Sequence, residues 1–267
     1  MPNKKSWKEG ILQIPESCNV PLSGPIDLQG KVAIITGAEG GIGQAASYAL
    51  ARAGAKVSVS DIQACDETIE GLKTIGADFI YVKTDVTKED DCNNLANSAL
   101  ERFGRIDILL NSAGILELTP IDKLSLEEWN RVINVDLTGT FLSTKAVWNT
   151  MKQQKSGKII CLSSTAARFG GGLSGPHYVA AKAGISGFVK WCAKYGAPDG
   201  ILVNAIAPGV VWTPMTLGVP YPESAAPIGR FGRVEDVAEP IVFLASDMSN
   251  LITGCILDVN GGIWMSP

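Results

Sequence analysis

The sequence predicts an α/β fold of the doubly wound kind, a single domain on a seven-stranded parallel sheet with helices on both faces. Two observations carry this. From Gly30 onward, short β-rich apolar runs alternate with stretches of helical periodicity, the order expected of parallel strands joined by crossover helices. The strand runs are also near-continuously apolar, as they are when both faces of a sheet are covered. With 267 residues, 46% of them hydrophobic, the chain can build one large core.

The strands are expected at 31–36, 56–61, 78–85, 106–111, 158–163, 202–207 and 256–259. Helical patterns over 42–52, 88–103, 126–151, 178–194 and 234–245 are each long enough to cross between strands. Residues 1–27, with Pro2, Pro15, Pro21 and Pro25, show neither period and read as an N-terminal arm, whose 11–14 segment could pack on the body or on a second subunit. Residues 28–267 form the single domain, with a lid around 212–226.

Composition removes several functions. A net charge of −4 offers no basic surface for nucleic acid or anionic lipid. The longest apolar runs are strand-sized, so no membrane span is expected. Six cysteines without a C-x-x-C and a single histidine, His177, argue against a metal site and against histidine-based triads. Lys4 and Lys5 are not followed by an apolar run, so no secretory signal is expected and the location reads as cytoplasmic.

The chemistry is concentrated at the ends of the strands. After the first strand comes Thr36-Gly37-Ala38-Glu39-Gly40-Gly41-Ile42-Gly43, opening a helix. Gly37 permits a tight turn, Gly41 removes a Cβ where a pyrophosphate approaches, and Gly43 lets helix and strand pack closely. The second strand ends at Asp61, placed to accept both hydroxyls of an adenosine ribose and to repel a 2′-phosphate, with Ala38 and Glu39 offering no compensating cation. This predicts NAD rather than NADP. Asp61 could alternatively cap the next helix, and Asp85-Val86 could bind the adenine edge or cap the helix near Lys88.

The fourth strand delivers Asn111-Ser112-Ala113-Gly114, small residues that admit a ring and ribose close to the backbone. Asn134 lies in an apolar helix and needs partners there, either a backbone kink or a held water. Tyr178 and Lys182, four apart, share one helical face, and the lysine ammonium can stabilise a phenolate. Ser164, at the end of the fifth strand, can hydrogen-bond the same substrate oxygen. Adjacent helical positions diverge by about 100°, so His177 reads as pocket wall or surface. Trp148, Phe188 and Trp191 read as core or subunit interface.

Through T-G-x-x-x-G-x-G at Thr36 to Gly43, N-S-A-G at Asn111 to Gly114, Asn134, Ser163-Ser164, Y-x-x-x-K at Tyr178 to Lys182 and Pro208-Gly209 with Thr213, the chain resembles the short-chain dehydrogenase/reductase family. The resemblance runs from about Leu28 to the C-terminus. It implies a Rossmann fold and a tetrad of Asn134, Ser164, Tyr178 and Lys182, with Tyr178 as general acid/base, Lys182 lowering its pKa and binding the nicotinamide ribose, and Asn134 holding a relay water. It also implies cofactor contacts from Gly37, Glu39, Gly41, Ile42, Gly43, Asp61, Asp85, Val86, Asn111, Ala113, Gly114, Pro208, Gly209, Val211 and Thr213, and a homotetramer.

The expected activity is NAD(H)-dependent interconversion of a secondary alcohol and a ketone. The proposed walls, Leu116, Leu118, Arg168, Phe169, Leu173 and the lid with Trp212, Met215, Leu217, Val219 and Tyr221, are mostly apolar and suit a hydroxysteroid-like or 3-oxoacyl-like molecule. Arg168 could meet an anionic tail, although solvation at the surface is its expected fate. Apolar residues of the 254–265 stretch suggest a subunit interface or a last strand folded on its own sheet. Alternatives are a sugar or polyol dehydrogenase of the same family and a non-catalytic dinucleotide-binding protein.

Overall fold

The structure, a computed structural model of the chain, describes residues 26–222 and 226–265. The expected N-terminal arm, apart from Ile26 and Asp27, lies outside them. Seven strands form one parallel sheet in the order β3-β2-β1-β4-β5-β6-β7: β1 Val32–Thr36, β2 Lys56–Asp61, β3 Phe79–Lys83, β4 Ile108–Asn111, β5 Gly157–Leu162, β6 Ile201–Pro208 and β7 Ile256–Val259. The helices are α1 Gly41–Arg52, α2 Asp66–Ile75, α3 Glu89–Phe103, α4 Leu126–Val132, α5 Gly139–Gln154, the short α6 Ala166–Phe169, α7 Pro176–Gly196 and α8 Val234–Ala245.

The strand alternation divides the apolar side chains between two layers. Ile35, Val57, Val59, Leu110, Ile160 and Ile206 join α1, α2 and α8 on one face through Leu50, Leu72 and Ile241. Ile34, Leu109, Ile159, Val203 and Ala205 join α3, α5 and α7 on the other through Leu95, Met151 and Val189. Each large aliphatic side chain so buried contributes about 1.5–3 kcal/mol. Both faces are sealed. Asp107, just before β4, ties the amino ends of two strands by accepting from Val32 N at 2.9 Å and pairing with Arg105.

Chain order reverses between β1 and β4, whose last residues Thr36 and Asn111 are in register. Loops leaving these strands diverge and open a crevice at their carboxyl ends, where ligands bind in such sheets. The same edge receives the ends of β5 and β6.

The helix expected over 126–151 is interrupted. After α4, residues Ile133–Thr138 form a π-helical turn before α5 begins, with Gly139 N donating to Asn134 O. Helix α7 starts two residues ahead of Tyr178, at Pro176, because proline has no N–H to lose in a first turn.

Candidate active site

A cleft of about 980 Å³ runs along the carboxyl ends of the strands. At its centre Gly37, with φ +68°, lies against the neighbouring loop so closely that a Cβ would sit 2.6 Å from Ala113 Cα. The Thr36 hydroxyl reinforces the contact, accepting from Ser112 N and Ala113 N at 3.2 and 3.3 Å. No side chain caps α1 at Gly40, which leaves first-turn N–H groups and the positive helix end open to an anion. Gly41 faces Thr213 across the cleft, with a hypothetical Cβ 3.2 Å from Thr213 Cγ2. A glycine-lined cradle at a helix N-terminus fits a pyrophosphate.

The rest of the cofactor list divides by position. Glu39, Ile42, Asp61, Asp85, Val86, Ala113, Gly114, Pro208, Gly209, Val211 and Thr213 all line the cleft. Gly43 does not; its hypothetical Cβ would meet Gly37 O at 2.0 Å, so its place is the packing contact between helix and strand. Asn111 is corrected too. It is buried behind the cleft, with Nδ2 donating to Thr144 Oγ1 at 3.1 Å, because strand alternation turns its side chain toward α5.

One end of the cleft is acidic. Asp61 accepts from Glu39 N at 3.2 Å and Gln63 N at 3.1 Å. Burial, and then the charges of Asp61, Glu67 and Asp66, hold the Glu39 carboxyl above its ordinary value. Asp85 spends one oxygen on Thr87 N and Oγ1, at 3.0 and 2.7 Å, forming a turn ahead of α3 while still bordering the cleft.

The other end gathers the reactive groups. Ser163 commits its Oγ to Lys182 O and Ser186 Oγ, each at 3.0 Å. Ser164 lines the cleft, as does Tyr178, and the Ser164 Oγ accepts from Ala166 N at 3.1 Å. Burial is the strongest influence on the Tyr178 phenol and leaves it above its ordinary value; the Lys182 ammonium pulls it down, and Asp136 pushes it up. The expectation that Lys182 lowers the phenol's pKa thus describes one contribution rather than the net direction.

Asn134 is corrected outright. It is exposed and does not line the cleft. Asp136 is the polar residue turned inward, its Oδ2 3.0 Å from Lys182 Nζ and its Oδ1 accepting from Ile115 N at 2.8 Å. Residues two apart on a helix face opposite ways, so only one of the pair could point inward. The signal was present: Val132, Asp136, Thr140, Ser143 and Val147 are all buried and follow the helical period.

His177 is neither pocket wall nor surface. It is fully buried, with Nε2 3.3 Å from Glu128 Oε1 and no hydrogen-bond partner on either ring nitrogen. Arg168 is not solvated alone but held by Asp258 and Ile256 O.

Comparison with known proteins agrees with this geometry. A family described as enoyl-(acyl carrier protein) reductase matches residues 37–264. The chain belongs to the short-chain dehydrogenase/reductase family. It is 42% identical to a 3-oxoacyl-[acyl-carrier-protein] reductase of Synechocystis sp., covering 89% of this chain and 98% of that one. Identity is 41% to a cis-4-hydroxycyclohexanecarboxylate dehydrogenase of Sinomonas cyclohexanicum, over 87% and 96% of the two chains. A solved structure described as a 2-deoxy-d-gluconate 3-dehydrogenase of Agrobacterium tumefaciens, with bound NADP, superposes with a TM-score of 0.82 at 33% identity, covering 90% of this chain and 99% of that one. The protein is therefore an oxidoreductase of this family, which binds a nicotinamide dinucleotide.

The cleft of this short-chain dehydrogenase/reductase is also lined by Leu116, Phe169, Trp212, Met215, Tyr221 and, unanticipated as a wall, Ile263. Leu118 and Leu173 are each 40% exposed and lie outside the cleft. Among the described residues no helix is long and apolar enough to cross a membrane. Because any Cβ at Gly37 meets backbone rather than a movable side chain, Gly37→Ala should lower the melting temperature and weaken dinucleotide binding at least tenfold, as read by fluorescence titration.

Proposed function

We propose that the protein interconverts a secondary alcohol and a ketone with NAD(H), using Tyr178 as acid/base, on a mainly apolar substrate of hydroxysteroid-like or 3-oxoacyl-like form. The observation carrying this reading is the convergence of Ser164, Tyr178 and Lys182 at one end of a single cleft whose other end is ringed by carboxylates. That group, within a family of enzymes, favours catalysis over a non-catalytic dinucleotide-binding role.

The bound dinucleotide supplies the hydride acceptor for oxidation and the donor for reduction. In the oxidative direction the Tyr178 phenolate takes the hydroxyl proton while the carbinol C–H electron pair leaves as hydride, and Ser164 holds the substrate oxygen. Reduction reverses both transfers, with the neutral phenol as donor. Oxidation should therefore rise with pH through the titration of Tyr178, and reduction should fall over the same range. Tyr178→Phe should reduce kcat by at least about 10²-fold without loss of dinucleotide binding. Turnover within a few-fold of wild type would exclude the acid/base role.

NAD is favoured by charge. A 2′-phosphate would enter a site holding Asp61 and Glu39, with Asp66 and Glu67 close behind, and like charges at such range oppose binding strongly. The NADP carried by the Agrobacterium tumefaciens neighbour points the other way, so this chain's own carboxylates carry the argument. NADH should bind more tightly than NADPH in a fluorescence titration, and Asp61→Ala should narrow the difference.

The apolar walls support a ketone or hydroxyl on a lipid-like or cyclic body over a polyol, which would need several placed polar partners. A panel of steroids, acyl ketones, cyclohexanols and sugars assayed with NAD(H) should give its largest kcat/KM outside the sugars. We also place the protein in the cytoplasm and infer a homotetramer. The tetramer is supported by the exposed Trp191–Tyr195 pair, whose ring centroids are 4.4 Å apart, and by the half-exposed edge strand β7. Light scattering at micromolar concentration should return four times the chain mass.

A further inference from the structure

Asp136 is completely buried, and a carboxylate withdrawn from water is retained only where charge and hydrogen bonds compensate it. Both are present. Oδ1 accepts the Ile115 N–H and Oδ2 stands 3.0 Å from Lys182 Nζ. Gly114 closes over the pair so tightly that a Cβ would lie 3.2 Å from Oδ2 and from Nζ alike. Lys182 Nζ also donates to Leu162 O at 3.1 Å and lies 5.4 Å from the centre of the Tyr178 ring. The ammonium thus stands between a carboxylate and the phenol. Backbone geometry fixes the carboxylate there, since the π-helical turn places Asp136 on the buried stripe and Thr140 Oγ1 donates to its carbonyl at 2.7 Å.

We propose that Asp136 is a positioning residue that holds the Lys182 ammonium in a buried ion pair, withholds part of its field from the Tyr178 phenol, and so biases the site toward ketone reduction near neutral pH. The inference rests on the reading of Tyr178 as acid/base and adds the group that governs its charge. A lone ammonium beside a phenol draws it toward phenolate; a carboxylate 3.0 Å from that ammonium makes the pair nearly neutral as seen from the ring. Tyr178 then keeps its proton to higher pH, in the form that donates to a ketone. The other titratable groups acting on this cluster are His177 on α7, with Glu128 of α4 beside it, Cys161 on β5 and Tyr221 on the lid. Asp136 is the carboxylate in contact with Lys182.

The test is a tyrosinate absorbance titration of the dinucleotide-free protein, taken as the difference between each form and its Tyr178→Phe counterpart so that the other tyrosines cancel. In Asp136→Asn the amide oxygen can still accept from Ile115 N, and the Tyr178 midpoint should move to lower pH by about one pH unit or more. Asp136→Ser serves as the second variant, with near-ultraviolet circular dichroism and melting temperature reporting the fold. With any working substrate, the ratio of reduction to oxidation rate at neutral pH should fall about tenfold in the same variant. A midpoint that is unchanged or higher in the folded variants, even with a lowered melting temperature, would overturn the proposal and reduce Asp136 to a structural role. The titration needs no turnover. A shifted midpoint in a protein that oxidises no alcohol would undo the proposed function and leave the Asp136 effect standing.

Discussion

The close approach of the Gly37 backbone to Ala113 is the constraint from which the site follows. It requires β1 and β4 to be neighbours, a pairing that reverses the strand order and opens the crevice. It also requires a residue without Cβ at 37, since the atoms that would be struck are backbone. With that contact made, the Thr36 hydroxyl joins the two loops, α1 presents an uncapped N-terminus, and Ser164 just beyond β5 and Tyr178 and Lys182 on α7 border the same cleft.

The cleft is electrostatically divided. At one end, burial and the neighbouring carboxylates of Asp61, Glu67 and Asp66 hold the Glu39 carboxyl above its ordinary value. Its other end holds Lys182 against both Asp136 and Tyr178. Burial magnifies the interaction of Asp136 with Lys182, because charges without water around them are poorly screened.

The walls between these ends are less constrained. Trp212 packs edge-on against Phe231 at 5.0 Å and Phe169 stacks on Trp264 at 6.4 Å, so aromatic side chains hold much of the substrate side in place. These residues come from the lid, from α6 and from the segment after β7, all surface connections that can change without disturbing the sheet. Similar proteins named for an acyl carrier, for cis-4-hydroxycyclohexanecarboxylate and for 2-deoxy-d-gluconate are consistent with this division between a fixed core and variable walls.

Sequence by itself determined the parallel sheet, because seven apolar runs spaced by helical periods leave little other way to bury both faces. It also determined the glycine cradle and the Tyr178–Lys182 pair, where local spacing places the chemistry. What only the tertiary structure decided were orientations. Asn134 and Asp136 are both polar residues in one apolar stretch, and burial against α7 selected Asp136. Asn111 sits in the right motif, but the strand's pleat turns it toward Thr144. Ser163 and Ser164 differ by one step along the chain and both border the cleft, but the Ser163 hydroxyl is committed to Lys182 O and Ser186 Oγ. His177 was hidden by contact with Glu128, forty-nine residues earlier in the chain. In each case the deciding partner lies far away in sequence, and local periodicity carries no record of it.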